Sequence, residues 1–506
     1  MYIDNFIKLF NTQKTIIIVA LIIFLALFPR SVEVFNHNPI FGFDQGREML
    51  AAKNIVVNHK LTLIGTEVGA GSAGISGVFH GPIYYYMLAV PFILFNGDPA
   101  SMVSLMLLFG LLTILFGYFF GLKLFGKWGG FLLSLLISMS PVFIAQSRFI
   151  WSPNPPTIFI LISFYFTYLL TVSKKKLYLF LASFFSAFVY NFELGIAVPL
   201  SLTLLIYSLF IFRKKLKGVI ILFVGFVVGY LPMILFEIRH GFLGTKSTIS
   251  YLTANHQQHL EHSNLYYLLD HVKSFLNGFQ NTFSINMYPV IFLLLIIVFV
   301  IYFIIHEKNI NIKYFFSYLL LLIPVTFLVF APLRNTVWSF YLLHLNLAYL
   351  LFFTYITYSI FLKKFNKLFV LMVLFIAILT AAGINNATQT WVHDYADYGG
   401  TAKIKGKMDA LDYIYKDAKG MPFGLLVFSP PVYTYPYDYL LWWYGQRKYG
   451  YIPYNEKKGT FYLLIEPDGT KPWSYKGWLQ TVIKSGKIES TVTLRNGFII
   501  QKRTEK

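Results

Sequence analysis

Residues 41–49 of the chain read FGFDQGREM, and they place Asp44, Arg47 and Glu48 shortly after the first hydrophobic span. The composition of this stretch predicts a helix from Gln45 to Val57, on which Asp44 and Glu48 would share one face because they are four residues apart. Asp44 is also a favoured capping residue before a helix, and that role is compatible with a chemical one. We therefore take Asp44 and Glu48 as candidate catalytic carboxylates and Arg47 as a candidate substrate-binding residue.

The overall composition excludes a water-soluble protein. Hydrophobic residues make up 57% of the 506 residues, charged residues make up 13%, and the mean hydropathy is +0.61. A chain of this kind is expected to be a polytopic α-helical membrane protein. It contains no cysteine, which excludes disulfides, thiolate catalysis and cysteine-ligated metals.

The formal net charge of +20 comes from lysines and arginines that mostly lie in short clusters between apolar segments. Such clusters are typical of residues that set membrane topology and contact lipid headgroups. The sequence therefore predicts membrane lipids as partners and no nucleic acid.

Eleven apolar runs are interpreted as membrane spans, since roughly 20 helical residues cross about 30 Å of hydrocarbon. They lie near residues 15–28, 101–121, 128–147, 156–173, 177–193, 195–212, 218–237, 287–305, 313–332, 337–361 and 366–384. A further run, Ile83 to Phe95, has only 13 residues and is interrupted by Pro91. This run is too short to span without thinning of the bilayer.

The positions of the basic clusters predict the sidedness of the spans. Successive clusters are separated by two spans and therefore share one face, which the positive-inside rule makes cytoplasmic; they begin at Lys123, Lys174, Arg213, Lys308 and Lys363. Lys8 and Lys14 join that face only if residues 83–95 do not cross the membrane. We therefore predict an in-plane juxtamembrane helix there, within a first extracytoplasmic loop of residues 30–100, in a multi-pass protein of the cytoplasmic membrane.

The predicted domain organisation has two parts. Residues 1–384 would form the transmembrane domain, and residues 385–506 a soluble extracytoplasmic α/β domain whose role the sequence leaves open. The second part is less hydrophobic and mixes helical and strand patterns. The predicted elements are a helix at 403–418, an aromatic helix at 437–449, and strands at 424–428, 460–465, 490–495 and 497–502.

Ionisable residues cluster at the predicted extracytoplasmic ends of the spans, and no carboxylate lies near the middle of a predicted span. Ion-coupled transporters usually place charges at the midplane, so this distribution weighs against transport. Arginine suits a lipid phosphate because its guanidinium stays charged and donates two hydrogen bonds. The candidates for binding substrate or lipid phosphate are Arg47, His80, Arg148, Glu193, Arg239 and Arg334. The alternative for each is that it pairs or snorkels at a span end.

No metal site is predicted. His256, His259 and His262 have a spacing that could reach one metal ion from a helical face, but their polar surroundings favour a solvated helix. The sequence leaves open whether a divalent cation is required.

Four segments carry a resemblance to a known family. They are FDQGREMLAAKNIV at 43–56, HGPIYYYMLAVPFILF at 80–95, LFGKWGG at 124–130 and SPVFIAQSRFIWSPNP at 140–155. In this order they resemble the bacterial polyprenyl-phosphate-sugar-dependent glycosyltransferases of the GT-C fold, which are related to protein O-mannosyltransferases and to the aminoarabinose transferase of lipid A. The resemblance covers the first 240 or so residues well and the later spans only in general plan.

The resemblance implies a chemistry for Asp44. In that family an acidic motif in the first extracytoplasmic loop supplies the general base, and Asp44 matches its aspartate. The next position is Gln45, where many relatives have glutamate, so it stays open whether Glu48 or Glu67 replaces that acid. The segment at 80–82, His-Gly-Pro, resembles the HPP-like turn of the family, with glycine where proline is common.

The implied enzyme is a hexosyl- or pentosyltransferase that moves a sugar from a polyprenyl-phosphate donor to an acceptor hydroxyl, with inversion, on the extracytoplasmic face. The acceptor, whether protein, lipid or glycan, is left open. Two alternatives remain: a flippase or transporter of lipid-linked sugars, and a polymerase or ligase of the O-antigen type that uses a lipid-diphosphate donor.

Overall fold

A computed structural model describes residues 13–69, 75–211, 216–253, 263–284, 288–362, 366–397, 403–430 and 433–505. Helices dominate the part before residue 397. Several begin at polar caps that satisfy the free N–H groups of the first turn: Asp98, for example, accepts hydrogen bonds from the N–H groups of Ala100 and Ser101, and Pro99 occupies the first helical position.

The helices of this first part are joined by connections of very different length, the longest of them between α3 and α4. Their bounds are α1 Gln13–Arg30, α2 Val32–Asn36, α3 Phe43–Val56, α4 Ile83–Leu94, α5 Pro99–Met139, α6 Pro141–Ala145, α7 Pro156–Ser173, α8 Lys176–Phe188, α9 Leu194–Ile211, α10 Leu216–Gly229, α11 Leu231–Arg239, α12 Leu243–Thr253, α13 Asn264–Thr282, α14 Pro289–Ile305, α15 Ile310–Phe330, α16 Leu343–Leu362 and α17 Asn366–Ala396.

These helices confirm a polytopic membrane architecture. Within the described ranges, five helices are long and apolar enough to cross a membrane, and α10 with α11, bent by 71° between them, makes a sixth if the pair is one span. Shorter apolar helices lie at α1, α4, α9 and α14. Each of the eleven predicted spans coincides with one of the helices or with adjacent helices.

The helix α5 contains the predicted span at 101–121 and the larger part of the one at 128–147. Its backbone leaves the helical conformation at Gly126, where φ is 72° and ψ is −165°. A Cβ added at Gly121 would lie 2.4 Å from the carbonyl oxygen of Gly129, so the segments on either side of Gly126 pack closely against each other. Glycine at these positions permits the chain to turn back between the two spans.

The structure moves the start of α3 by two residues from its predicted position. The helix begins at Phe43, so Asp44 lies inside its first turn and does not occupy the N-cap. The N-cap is Gly42, whose N–H donates to Oε1 of Gln45 at 3.0 Å. Asp44 is therefore free of the capping role considered for it, although a carboxylate in the first turn still favours the helix dipole.

After residue 403 the chain forms a four-stranded sheet with helices beside it, as predicted for an α/β unit. The elements are α18 Ile404–Ala418, β1 Gly424–Phe428, α19 Tyr435–Leu440, a π-helical segment Leu441–Gly445, α20 Gln446–Tyr449, β2 Thr460–Ile465, α21 Ser474–Trp478, β3 Lys487–Thr493 and β4 Ile499–Thr504. The strand order is β1-β2-β4-β3, with β1 and β2 parallel and the other pairs antiparallel. Helix α21 was not predicted from the sequence.

The first loop and the C-terminal α/β unit share one hydrophobic core, whose buried members include Phe41, Met49 and Leu88 on one side and Ile414 and Tyr437 on the other. Backbone contacts reinforce it, because the N–H of Ile404 donates to the carbonyl oxygen of Pro39. Helix α17 extends past residue 384 to Ala396. The domain division at residue 384 remains a prediction.

Helix α3 is held against the C-terminal unit by a close backbone approach. A Cβ added at Gly46 would lie 2.4 Å from the backbone nitrogen of Pro436 and 2.6 Å from the carbonyl carbon of Tyr435. Any larger residue at position 46 forces α3 and α19 apart, because the atoms it would meet belong to the backbone and cannot rotate away. The side of α3 that carries Gly46 therefore rests directly on the C-terminal unit.

The Gly46→Ala variant tests this contact. Alanine is the best helix former, so any loss of stability reports the contact with Pro436 and not helix propensity. We expect the variant to lose about 1–3 kcal/mol of stability, measured as a lower melting temperature and faster proteolysis of the C-terminal unit. The matched control is Gly477→Ala in α21, where an added Cβ meets no atom within 4 Å. This substitution should stabilise the protein slightly. Equal melting temperatures for both variants would contradict the close packing of α3 on α19.

Candidate active site

A cavity of about 330 Å³ lies where the first loop meets the ends of several helices. Its walls combine charged groups with aromatic rings. The lining residues are Phe43, Asp44, Arg47, Thr66, Glu67, Gly69, His80, Trp151, Ser152, Pro153, Glu193, Trp338, Phe340 and Tyr341. Four of the eight residues predicted to form the site, Asp44, Arg47, His80 and Glu193, are among them.

Asp44 is the partly exposed carboxylate of α3 that faces this cavity. Its Oδ1 accepts a hydrogen bond from Nη2 of Arg47 at 2.6 Å, and the Trp151 side chain also hydrogen-bonds to it. The Asp44 side chain is 34% exposed. Burial raises the pKa of Asp44 above the usual aspartate value, while the charge and hydrogen bond of Arg47 oppose that rise. The arrangement gives a carboxylate that is reachable and more basic than a solvated aspartate.

The Gln45 amide caps α3 with its oxygen and ties the helix to the 150–153 loop with its nitrogen. Its Oε1 accepts from the N–H of Gly42, and its Nε2 donates to the carbonyl oxygen of Ile150 at 3.0 Å. A glutamate, the residue common here in the resembling family, could not donate to Ile150 when ionised. The amide therefore helps to fix the position of Trp151, the next residue, beside Asp44.

Glu48 lies on α3 behind the cavity and is fully buried. Its Oε2 accepts from the hydroxyl of Tyr84 at 2.7 Å, and its Oε1 accepts from the N–H of Ser152 at 3.0 Å. Burial raises the pKa of Glu48 to about 8, so the side chain is mostly neutral at pH 7. These contacts give Glu48 a role in holding the 150–153 loop.

His80 and Glu193 form a buried pair in the cavity wall. Nδ1 of His80 accepts from the N–H of Leu194 at 3.1 Å, and its Nε2 lies 3.9 Å from Oε2 of Glu193. Burial lowers the pKa of His80 to about 3, with Arg47 adding to the effect, so the imidazole is neutral and the pair is not a salt bridge. The next residue is Gly81, where an added Cβ would lie 2.0 Å from Oδ1 of Asn191.

Arg148 lies outside the cavity lining and is bound by carboxylates. Its Nε donates to Oε2 of Glu33 at 3.0 Å, and its Nη2 contacts both Glu33 and Asp394. The buried Lys403 joins them, 3.8 Å from Glu33 and 3.7 Å from Asp394. Two cations thus balance two anions. This cluster links α2, the 148–153 loop, α17 and the start of α18.

Arg239 and Arg334 are not among the residues that line the cavity. Arg239 is exposed at the C-terminus of α11. Arg334 lies in the loop that leads from α15 to the aromatic wall at Trp338, and its Nη1 is buried without a hydrogen-bond partner among the described residues. Their predicted role in binding the lipid phosphate stays a prediction, as does that of Arg148.

The described ranges contain no group of three His, Asp or Glu side chains placed to hold one metal ion. His256, His259 and His262 lie outside the described residues. Whether a divalent cation is required therefore stays open.

Sequence reasoning missed two features of the site. The first is the aromatic wall, in which Phe340 lies 4.6 Å from Trp151 and 4.6 Å from Tyr341 between ring centroids. The second is the set of carboxylates around Arg148. The WSPNPP motif that follows Arg148 contains Trp151 and was a usable signal for the aromatic wall. The partners of Arg148 are far away in sequence, so no local pattern indicated them.

The Gln45→Glu variant tests the amide clamp. An ionised carboxylate at position 45 loses the hydrogen bond to Ile150 and places its charge next to Asp44, so we expect a loss of about 1–3 kcal/mol at pH 8. Protonation restores the donor, so the loss should shrink as the pH falls towards 5. Thermal unfolding of the wild-type protein and the variant at pH 8 and at pH 5 measures this loss of stability. The control is Gln446→Glu on exposed α20, for which no comparable loss is expected; equal losses would refute the clamp.

The Glu48→Gln variant separates a structural role from a catalytic one. Glu48 has a pKa of about 8 in the fold against 4.5 for an ordinary glutamate. A raised pKa adds stability that is complete below the unfolded value and is lost as the pH rises through the folded value. The variant should therefore match wild type at pH 4 and melt at a higher temperature than wild type at pH 8. It should also keep activity; loss of activity without loss of stability would assign chemistry to Glu48.

Comparison with solved structures identifies the fold. The chain is similar to ArnT from Cupriavidus metallidurans bound to undecaprenyl phosphate, with a TM-score of 0.56 and 13% identity over 97% of this chain and 98% of that one. It is also similar to ArnT from the same organism in the apo state, with a TM-score of 0.55 and 11% identity over 96% and 97% of the two chains.

A third similar structure is the oligosaccharyltransferase of Archaeoglobus fulgidus in complex with Zn and sulfate, with a TM-score of 0.51 and 13% identity over 86% of this chain and 62% of that one. No protein-family model matches the chain, and no curated protein matches it either. At these identities the likeness shows the fold, and it confirms the predicted GT-C fold of a multi-pass membrane protein.

Proposed function

We propose that this protein is a glycosyltransferase that moves a sugar from a polyprenyl-phosphate donor to an acceptor hydroxyl on the extracytoplasmic face. The observation that carries the proposal is the position of Asp44, a partly exposed carboxylate in a cavity that also holds a guanidinium and a wall of aromatic rings. The GT-C fold supports it, since one structure of similar fold contains undecaprenyl phosphate.

In the proposed reaction the acceptor oxygen attacks the anomeric carbon of the donor sugar from the side opposite the phosphate. Its proton passes to a carboxylate oxygen of Asp44. The bond between the anomeric carbon and the phosphate oxygen breaks, and polyprenyl phosphate leaves with the electron pair. The configuration at the anomeric carbon is inverted. General-base catalysis of this kind contributes about 10²–10⁴-fold.

Arg47 is the proposed partner of the leaving phosphate. It lines the cavity, and its buried Nε has no hydrogen-bond partner among the described residues. A phosphate there would compete with Asp44 for the guanidinium. Burial raises the pKa of Asp44, and the charge of Arg47 opposes that rise. Loss of the Arg47 contact would therefore raise the proton affinity of Asp44 further. Donor binding would thus make the base stronger at the moment it is needed.

The remaining predicted residues take supporting roles. The neutral His80 can donate a hydrogen bond from Nε2 within the cavity, and the N–H of Leu194, which donates to Nδ1, fixes the orientation of the ring. Glu193 lies beside it, with Oε2 3.9 Å from Nε2. Arg334, with an unpartnered buried Nη1 among the described residues, is a second candidate for the phosphate. Arg148 is already neutralised by two carboxylates, and we propose that it positions the 148–153 loop. The choice between a hexose and a pentose stays open, as does the acceptor.

The Asp44→Asn variant tests the proposal whatever the identity of the sugar. Envelope glycans are compared by mass spectrometry in cells that carry the wild-type protein, the variant or no protein. We expect the protein-dependent modification to fall by about 10²-fold or more in the variant, because asparagine cannot accept the proton. The purified variant should still bind undecaprenyl phosphate at least as well as wild type, since it lacks a charge that repels the phosphate.

The matched control is Glu67→Gln, which changes another acid of the same cavity. Glu67 accepts a hydrogen bond from the N–H of Gly77 at 2.7 Å, and glutamine can keep that contact. This variant should retain most of the activity. Wild-type activity in Asp44→Asn would remove Asp44 as the base, and identical envelopes with and without the wild-type protein would refute the glycosyltransferase.

A further inference from the structure

A second cavity, of about 360 Å³, lies within the helical bundle between the end of α16, the start of α17 and the part of α5 that follows Gly126. We refer to it as the apolar groove. It is lined by Trp128, Gly129, Phe131, Leu132, Thr354, Thr357, Tyr358, Phe361, Phe369, Val373 and Ile376. It takes no part in the chemistry proposed above.

The apolar groove lies at the opposite end of α16 from the Asp44 cavity. Tyr341 of the cavity wall comes two residues before α16 begins, whereas the groove residues of α16 are 354–361. At 1.5 Å per residue this separation is roughly 20–30 Å along the helix. A lipid whose phosphate sits at Asp44 therefore has its headgroup at the other side of the membrane from this groove.

The groove walls offer almost no polar partner to an occupant. The hydroxyl of Thr354 donates to the carbonyl oxygen of Leu350, and that of Thr357 donates to the carbonyl oxygen of Phe353. Both threonines are thus satisfied by their own helix. The occupant must be a hydrocarbon chain, because a polar molecule would leave its own groups without hydrogen bonds.

Exposed cations surround the end of the groove that faces the headgroups. Lys127 precedes the groove residue Trp128, and Lys367 lies two residues before Phe369; both lysines are exposed, as is Lys123. Trp128 itself is 73% exposed, as expected of an aromatic side chain at a membrane interface. The acid on this side, Glu307, accepts hydrogen bonds from the N–H of Asn309 and the hydroxyl of Tyr355 and keeps its charge. The three exposed lysines outnumber it, so the local field favours an anion.

We propose that the apolar groove is a binding site for an anionic phospholipid of the cytoplasmic leaflet. One acyl chain occupies the groove between α5, α16 and α17, and the headgroup phosphate lies against Lys127 and Lys367. The lipid would fill a gap where three helices meet and would stabilise the packing of α16 against α17. The site does not depend on the reaction at Asp44.

The test uses the full-length protein in detergent with dioleoyl phosphatidylglycerol or dioleoyl phosphatidylcholine, and it reads bound lipid by native mass spectrometry. The wild-type protein is expected to retain phosphatidylglycerol about tenfold better than phosphatidylcholine. Val373→Trp places a large ring in the groove and should abolish retention. Its control is Val370→Trp on the same helix, an exposed position outside the groove lining, which should retain the lipid.

The headgroup contact is tested by the double change Lys127→Glu with Lys367→Glu, which should remove the preference for phosphatidylglycerol. The control, Lys174→Glu with Lys175→Glu, alters a basic pair next to α7 and should leave the preference unchanged. Quenching of Trp128 fluorescence by brominated phosphatidylglycerol locates the chain, since Trp128→Phe should remove that part of the quenching. Equal retention of both lipids by the wild-type protein, or equal losses in Val373→Trp and Val370→Trp, would overturn the proposal.

Discussion

The contact between Gly46 and the backbone of Pro436 is the constraint on which the arrangement of the site depends. It allows α3 to lie against the C-terminal unit at a distance that no side chain at position 46 would permit. The opposite side of the same helix packs on α4 through Glu48 and Tyr84. Asp44, one turn earlier, is therefore carried by a helix that is fixed on two sides. In the proposed reaction, a carboxylate held in this way would lose little entropy when a substrate binds, which is how preorganised sites gain rate.

Burial decides which charges the site keeps. Glu48 and His80 lie too deep to remain ionised at neutral pH, so burial raises the pKa of the first and lowers that of the second. Asp44 is less buried and lies beside Arg47, which opposes the effect of burial on its pKa. The cavity thus presents the guanidinium of Arg47 with the carboxylates of Asp44 and Glu67, beside neutral groups such as the His80 imidazole. In such surroundings the field of each charge is weakly screened, and it acts strongly on a phosphate or a developing negative charge.

Much of the fold could be predicted because its signals are local. The apolar runs gave the membrane helices, and the strands at 424–428 and 460–465 have the predicted bounds, since each is a short apolar run with turns on both sides. The site was predictable only where one short segment carries it, as with Asp44 and Arg47. The burial of Glu48 depends on Tyr84 and Ser152, and the pairing of Arg148 depends on Asp394, which lies 246 residues away. Contacts between distant segments leave no pattern in a single sequence.

The charge cluster of Arg148, Glu33, Lys403 and Asp394 has a consequence for how this architecture can change during evolution. Its members come from four separate segments, and their charges sum to zero. Removal of one member leaves a poorly solvated charge unpaired, which costs far more than a surface ion pair contributes. Substitutions here should therefore occur in compensating pairs. A homologous C-terminal unit could be exchanged between related chains only together with the matching residues at positions 33 and 148, so the unit is inherited with the helices beneath it and not as a transferable module.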